Sequence, residues 1–287
     1  MDLCSPEELR VLLSRHGFRF SKSMGQNFLI DGRVPRDIAA ASGANKDCGV
    51  LEIGPGVGSL TVELSKLAGQ VVSVELDRSL LPVLAESLAD CGNVEIVSGD
   101  IMKLDLGALV DEKLFGLTPI VCANLPYNIT TPVITALLEC GHFASVTVMI
   151  QREVARRICA VPGTVDYGAF TLLCQYYARC SLLFDVPPHC FLPAPKVTST
   201  VVRLELQSPP PEVEDRDFFF TVVRAAFAQR RKTLLNALSA AFGDRLSKEA
   251  LWQVIADCGF PEDIRGERLG LTSFAALARE LAGRMGG

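Results

Sequence analysis

Four consecutive residues, Asn124-Leu125-Pro126-Tyr127 in "CANLPYNITTP", set an amide, a fixed-φ residue and an aromatic ring directly after an apolar run. An amine carried on an aromatic ring is a poor nucleophile, because its lone pair is delocalised into the ring. Acceptors that hold the amine hydrogens favour its pyramidal, more nucleophilic form. The Asn124 side-chain oxygen, together with the backbone carbonyl of Leu125 or Pro126, can supply such acceptors. Pro126 fixes φ and biases Leu125 toward an extended conformation, which makes the turn rigid. Tyr127 then offers a ring for stacking a base, worth about 1–3 kcal/mol. Taken alone, the same residues also describe a β-turn opened by asparagine.

A second constellation lies upstream. "VLEIGPGVGSLTVEL" places Gly54, Gly56 and Gly58 between an apolar run and a helical pattern, where glycine permits a tight turn and close backbone approach to a ligand. A dinucleotide fingerprint fails at its last position, which is Ser59, and no P-loop lysine follows. The spacing E-x-G-x-G-x-G, led by Glu52, instead resembles S-adenosylmethionine-dependent methyltransferases. Glu75 closes the next apolar run, where an acid can accept both ribose hydroxyls, and Asp100 follows the third, where a carboxylate can accept from an adenine amine. Each acid alone reads equally as a loop acid or a helix cap. One at the carboxyl end of each of three successive strands points to an adenosine-bearing cofactor, because ligands of open parallel sheets bind at that edge. A sulfonium leaving group is already activated, so the chemistry needs no histidine, metal or strong base and reduces largely to positioning.

The elements that position these residues follow from hydrophobic pattern. Apolar runs at 50–53, 71–76, 94–97, 119–123 and 146–150 alternate with helical patterns such as "SLTVELSKLA" and "SLLPVLAESLADC". That alternation predicts an α/β fold with a parallel sheet covered on both faces. Two later runs, "SLLFDV" and "STVVRLEL", fit an antiparallel edge. "QSPPPEVEDRD" can continue neither a helix nor a central strand. The expected division is a catalytic domain over 1–206, a linker over 207–217 and a small all-helical domain over 218–287. In the last, one helical period runs through "FFFTVVRAAFAQRRKTLLNALSAAF", with Phe219, Val223, Ala226, Leu234 and Leu238 on one face.

The 287 residues carry a net charge of −5, which argues against a nonspecific polyanion binder but not against a localised basic site. Ten cysteines and three histidines show no zinc-ligand spacing, so no metal is expected and the cysteines read as reduced, buried small side chains. No apolar run is long enough to span a membrane, and "MDLCSPEELRVLL" lacks a signal-peptide core. A cytoplasmic monomer is the expectation. The densest basic run is Arg230, Arg231 and Lys232. On a continuous helix Arg230 would fall inside the apolar stripe, and Arg224 would lie with Arg231 one heptad on. A charge on an inward face needs a partner or a cleft. This predicts an RNA-binding cleft between the domains, with further charge from Lys22, Arg152, Arg156 and Arg157.

Further motifs extend these: "KSMGQNFLID", "VELD", "SGDIMKLD", "FLPAPKVTSTVV" and "AFAQRRKTLLNAL". Together with "EIGPGVG" and "ANLPYNITTP" they resemble the ribosomal RNA adenine dimethylase family from about Leu12 to the C-terminus. The motifs are most similar to the bacterial branch acting on small-subunit (16S) rRNA. The resemblance implies a Rossmann-like S-adenosylmethionine-dependent methyltransferase sheet with a helical C-terminal domain. It implies dimethylation at N6 of two adjacent adenosines in a hairpin loop near the 3′ end of 16S rRNA, on the 30S particle. It also implies cofactor contacts from Asn27, Leu29, Gly54, Glu75, Asp100 and Asn124, with Gly56 in the same loop. "GQNFLID", which alone reads as a turn before a helix, would close over the cofactor. Phe191 would face the target base opposite Tyr127, whereas by residue type alone it reads as a core phenylalanine. Two other readings stand beside this one: a large-subunit dimethylase of the antibiotic-resistance type, and a nucleic-acid-binding factor on a methyltransferase scaffold.

Overall fold

Fully buried strands set the architecture. The computed structural model describes residues 1–19, 26–210 and 212–286; Lys22 lies outside them. In chain order the elements are α1 (Pro6–Arg15), β1 (Phe28–Leu29), α2 (Arg33–Ala41), β2 (Cys48–Ile53), α3 (Ser59–Leu67) and β3 (Gln70–Glu75). Then come α4 (Leu81–Ser87), β4 (Val94–Ser98), α5 (Leu106–Lys113), β5 (Thr118–Asn124), α6 (Thr130–Cys140), β6 (Ser145–Gln151), α7 (Arg152–Ile158) and α8 (Ala169–Tyr177). The chain ends with β7 (Ala178–Val186), β8 (Phe191–Leu192), β9 (Ser199–Leu206), α9 (Arg216–Ala228), α10 (Leu234–Phe242), α11 (Lys248–Asp257) and α12 (Leu271–Met285).

Seven strands form one sheet in the order β4-β3-β2-β5-β6-β9-β7. The first five are parallel and β9 runs antiparallel to β6. Every residue of β2 is buried, as a parallel strand packed on both faces requires. The strand order reverses between β2 and β5, which opens a crevice at their carboxyl ends. A separate two-stranded ribbon pairs β1 with β8, Phe28 opposite Leu192 and Leu29 opposite Phe191.

The chain divides into two units, Met1–Ala155 with Arg179–Leu206, and Arg156–Ala178 with Gln207–Gly287. This differs from the sequence reading in two segments: residues 156–178 belong with the C-terminal helices rather than with the sheet, and residues 207–217 are part of that helical unit rather than a separate linker. The cause is aromatic packing within that unit. Tyr176 of α8 sits 5.8 Å from the Phe219 ring and 5.1 Å from that of Phe220, and Tyr167 and Leu172 join the same core.

The long helical period over 218–242 is also broken. Asp215 caps α9 by accepting from the Phe218 N–H, and α9 ends at Ala228. A new helix starts after Thr233, whose hydroxyl accepts from the Asn236 N–H. The N-cap threonine offers α10 its own start, which competes with continuation through "QRRK". Arg230 therefore lies in a turn, and the wheel position that placed it in the apolar stripe, with the argument for a cleft built on it, does not hold. No described helix is long and apolar enough to cross a membrane.

Candidate active site

The crevice at the sheet's carboxyl edge is a pocket open to solvent, lying wholly within the sheet unit. β2 delivers its floor. Gly54 and Gly56 take φ of 68° and 62°, a left-handed backbone that side chains resist, and Gly58 starts α3 at φ 90°. A side chain at position 56 would meet the Phe28 ring at 3.2 Å, so the turn stays bare beneath the β1 segment. Gly54 lies against Pro126, which brings the glycine turn beside the Asn-Leu-Pro-Tyr turn.

β3 delivers Glu75, 5% exposed at the pocket wall. Its carboxyl accepts from the backbone N–H groups of Asp77 (2.7 Å), Gly56 and Leu76. Burial raises its pKa, and these bonds oppose the shift. Asp100 follows β4, its Oδ1 accepting from the Met102 N–H at 3.0 Å and its Oδ2 lying 3.7 Å from Lys103 Nζ. Leu76 and Ile101 add apolar walls beside these acids. The buried carboxylate, the bare glycine turn and the flanking apolar walls suit an adenosine group carrying a methionine chain.

β5 delivers Asn124, registered opposite Met149 of β6. The Leu125 N–H donates to the Met149 carbonyl at 3.1 Å, which anchors the turn. The Pro126 carbonyl accepts from the Ile129 N–H at 3.2 Å and the Thr130 hydroxyl at 3.1 Å. It is thus committed to starting α6, and of the two carbonyls considered from sequence, Leu125's is the better placed to act with Asn124. Tyr127 is half-buried, its hydroxyl 2.7 Å from that of Ser199, and burial raises its pKa. Leu29 and Phe191 complete the pocket from the β1–β8 ribbon, and Asn27 from the position just before β1. Phe191 is only 3% exposed and packs in the core as well as lining the pocket.

Every cofactor and catalytic residue expected from sequence therefore lines this one pocket. Two further lining residues, Gln26 and Asp77, lie outside the expected set, and Glu52 was expected only as the leader of the glycine motif. Glu52 is fully buried below the glycine turn, its Oε2 accepting from Thr61 Oγ1 at 2.7 Å and Ser73 Oγ at 2.6 Å. Burial pushes its pKa up to about 7. Gln26 donates to Asp77 at 2.7 Å, tying the β1 segment to the loop after β3. Glu52 leads the glycine motif and Asp77 ends "VELD", but nothing in the sequence marks which partners they take. Among the described residues, no group of three or more His, Cys, Asp or Glu side chains is arranged to hold a metal.

The basic residues fall in both units. Arg152 belongs to the sheet unit and lies 3.7 Å from Asp185. Arg156, Arg224, Arg230, Arg231 and Lys232 belong to the helical unit, all exposed. Arg224 donates to Thr221 at 3.1 Å. Arg230 donates to the carbonyls of Val165 (2.8 Å) and Tyr167 (3.4 Å) and lies 4.0 Å from Glu267, so part of its role is to hold the 159–168 loop.

A pocket at the switch point of a parallel sheet, lined by the Asn124–Tyr127 turn, a glycine turn and the carboxylates of Glu75 and Asp100, is the arrangement of a methyltransferase that carries its donor as an adenosine sulfonium. The family profile for ribosomal RNA adenine dimethylase matches residues 17–257. The "Ribosomal RNA small subunit methyltransferase A" of Alkaliphilus oremlandii is 44% identical over 286 residues, covering 99% of each chain. Among solved structures, a dimethyladenosine transferase from Plasmodium falciparum superposes with a TM-score of 0.73 at 24% identity, covering 89% of this chain and 98% of that one. The 23S rRNA methyltransferase ErmE gives 0.68 at 25% identity, covering 89% and 99%. The chain belongs to the ribosomal RNA adenine dimethylase family. It is an rRNA adenine dimethyltransferase with S-adenosylmethionine as its methyl donor.

Proposed function

We propose that this protein dimethylates N6 of two adjacent adenosines near the 3′ end of small-subunit rRNA, acting on the 30S particle as a cytoplasmic monomer. What carries the reaction is the sharing of one pocket by Asn124 and Tyr127 with Glu75 and Asp100. What supports the small subunit is the name and near-complete coverage of the Alkaliphilus relative.

In this reading Glu75 accepts the ribose hydroxyls, Asp100 the adenine amine of the cofactor, and Gly54 with Gly56 admits its methionine chain. Asn27 and Leu29 cover it. S-adenosylmethionine supplies a methyl on a sulfonium, a leaving group that needs no protonation. The Asn124 side-chain oxygen and the Leu125 carbonyl hold the two hydrogens of the target amine and orient its lone pair for the first transfer, while Pro126 keeps both acceptors rigid. The nitrogen gives up one proton to solvent for each methyl gained, so a single hydrogen remains to be held for the second. Tyr127 stacks on the base, and Phe191 bounds its other face. RNA loops supply an unstacked nucleotide at small cost. Lys22, Arg152, Arg156, Arg224, Arg231 and Lys232 contact phosphates; Arg230 contributes its charge while bracing the loop beneath it.

Incubation with tritiated S-adenosylmethionine and separate, unmethylated 30S and 50S particles tests the reading. Label is expected in 30S rRNA as dimethyladenosine. Label confined to 50S particles would support the antibiotic-resistance alternative, and none in either would support a non-catalytic role.

A further inference from the structure

Tyr127 is held at both ends. At its backbone, Pro126 fixes φ and gives its carbonyl to Ile129 and Thr130. At the far end of the ring, the hydroxyl meets Ser199 Oγ at 2.7 Å. Ser199 is the first residue of β9, 0% exposed and registered opposite Gln151 at the end of β6. Because β9 runs antiparallel to β6, its first residue arrives at the same sheet edge as the pocket. A strand backbone thus presents a fixed hydroxyl to the ring.

The direction of this contact matters for stacking. The χ2 torsion of a tyrosine is broad, so a half-buried ring anchored only through Cβ can rock. A hydrogen bond at the phenolic oxygen fixes where the ring axis points, and its preference for the ring plane restrains rotation about that axis. Phenylalanine would offer the same stacking face without the anchor. Ser199, for its part, is a buried hydroxyl that would lose this partner.

We propose that Ser199 is a positioning residue for adenine methylation, holding the plane of the Tyr127 ring against which the target base stacks. The inference rests on the proposed role of Tyr127 as the base platform. Ser199 touches neither base nor cofactor in this scheme; it sets the angle at which the amine meets the methyl. Misplacement on the scale of 1 Å can cost about a hundredfold in rate.

A double-mutant cycle at Tyr127 and Ser199 tests this in the full chain, with unmethylated small ribosomal subunits and tritiated S-adenosylmethionine. Ser199→Ala and Tyr127→Phe are each expected to lower kcat about tenfold or more, with KM for S-adenosylmethionine unchanged. The double variant should be no slower than either single one, since both delete one bond. Multiplied losses, or wild-type kcat in Ser199→Ala, would overturn the proposal. Should Ser199→Ala fail to fold, Tyr127→Phe deletes the same bond from the other side, and wild-type kcat there overturns it equally. Tyr127→Ala separates the two levels of the argument. If it retains wild-type kcat, the platform reading falls and takes this inference with it. If it is inactive while the two milder variants keep wild-type kcat, only the positioning role of Ser199 falls.

Discussion

Leu29 and Phe191 stand opposite each other across the β1–β8 ribbon, and both line the pocket. In the proposed function one side chain serves the cofactor and the other the target base, and on that reading the ribbon would link the two binding events. Phe191→Ala should therefore act in two ways. As a phenylalanine 3% exposed in the core, its loss should cost about 3–5 kcal/mol of stability. Removing the cross-strand partner of Leu29 should also weaken S-adenosylmethionine binding, measured by calorimetry below the melting temperature. A variant that melts early yet binds cofactor and methylates normally would reduce Phe191 to a packing residue.

Glu75 lies at the wall of the same pocket with its carboxyl already oriented by the Asp77 and Gly56 N–H groups. Glu75→Ala should weaken S-adenosylmethionine binding by about 1–3 kcal/mol, because charge-assisted bonds to the ribose are lost. NAD should not compete with the cofactor. Unchanged affinity by calorimetry would remove Glu75 from the site.

Asn124→Ala should act on the chemical step. On the proposed reading it removes one of two acceptors for the target amine, a loss of about 1–3 kcal/mol and thus roughly ten- to hundredfold in kcat at saturating substrates. Single-turnover methylation measures it, and a rate within twofold of wild type would transfer the acceptor role elsewhere.

Glu52 gives the protein a titration near neutrality. Burial lifts its carboxyl from 4.5 to about 7, the hydrogen bonds from Ser73 and Thr61 oppose the shift, and the Glu75 charge adds to it. The folded state then holds the proton more tightly than the unfolded chain. Its stabilising contribution is complete below about pH 4.5 and is lost as pH rises through about 7. Glu52→Gln stays neutral, so its stability relative to wild type should grow across that window, by on the order of 3 kcal/mol. Urea unfolding of both proteins at pH 5 and pH 8 checks it; parallel pH profiles would mean that Glu52 titrates normally. A cationic cofactor favours the ionised carboxylate, so S-adenosylmethionine affinity should rise with pH in wild type and lose that dependence in Glu52→Gln.

The sheet and the pocket were legible because their signals are local. β2 and β6 are buried along nearly their whole length and read as largely apolar runs, and the three acids sit at or near strand ends that the runs themselves mark. What was not legible depends on partners far apart in the chain. Tyr167, Leu172 and Tyr176 look like any core residues until Phe219 and Phe220 are seen beside them, so nothing in "ICAVPGTVDYGAFTLLCQYY" announces the change of unit. The break after Ala228 was masked because apolar spacing continues across it by coincidence, while the competing signal was one capping threonine. Ser199, within "KVTSTVV", gained meaning only from Tyr127, seventy-two positions earlier.

The break after Ala228 changes what the basic run can be expected to do. Arg231 and Lys232 are exposed in the α9–α10 turn, whereas Arg230 spends its guanidinium on the carbonyls of Val165 and Tyr167. If Arg231 and Lys232 contact phosphates, each change to Ala should weaken rRNA binding and reduce the slope of log affinity against log salt by about 1. Cofactor affinity should not move. Arg230→Ala should differ in kind: beyond any loss of RNA binding, it frees the 159–168 loop and should lower Tm by about 2–4 °C. Filter binding of the small-subunit particle across a salt series, with melting curves for all three variants, separates the roles. A salt slope unchanged in both Arg231→Ala and Lys232→Ala would mean that the run faces solvent and that RNA is held elsewhere.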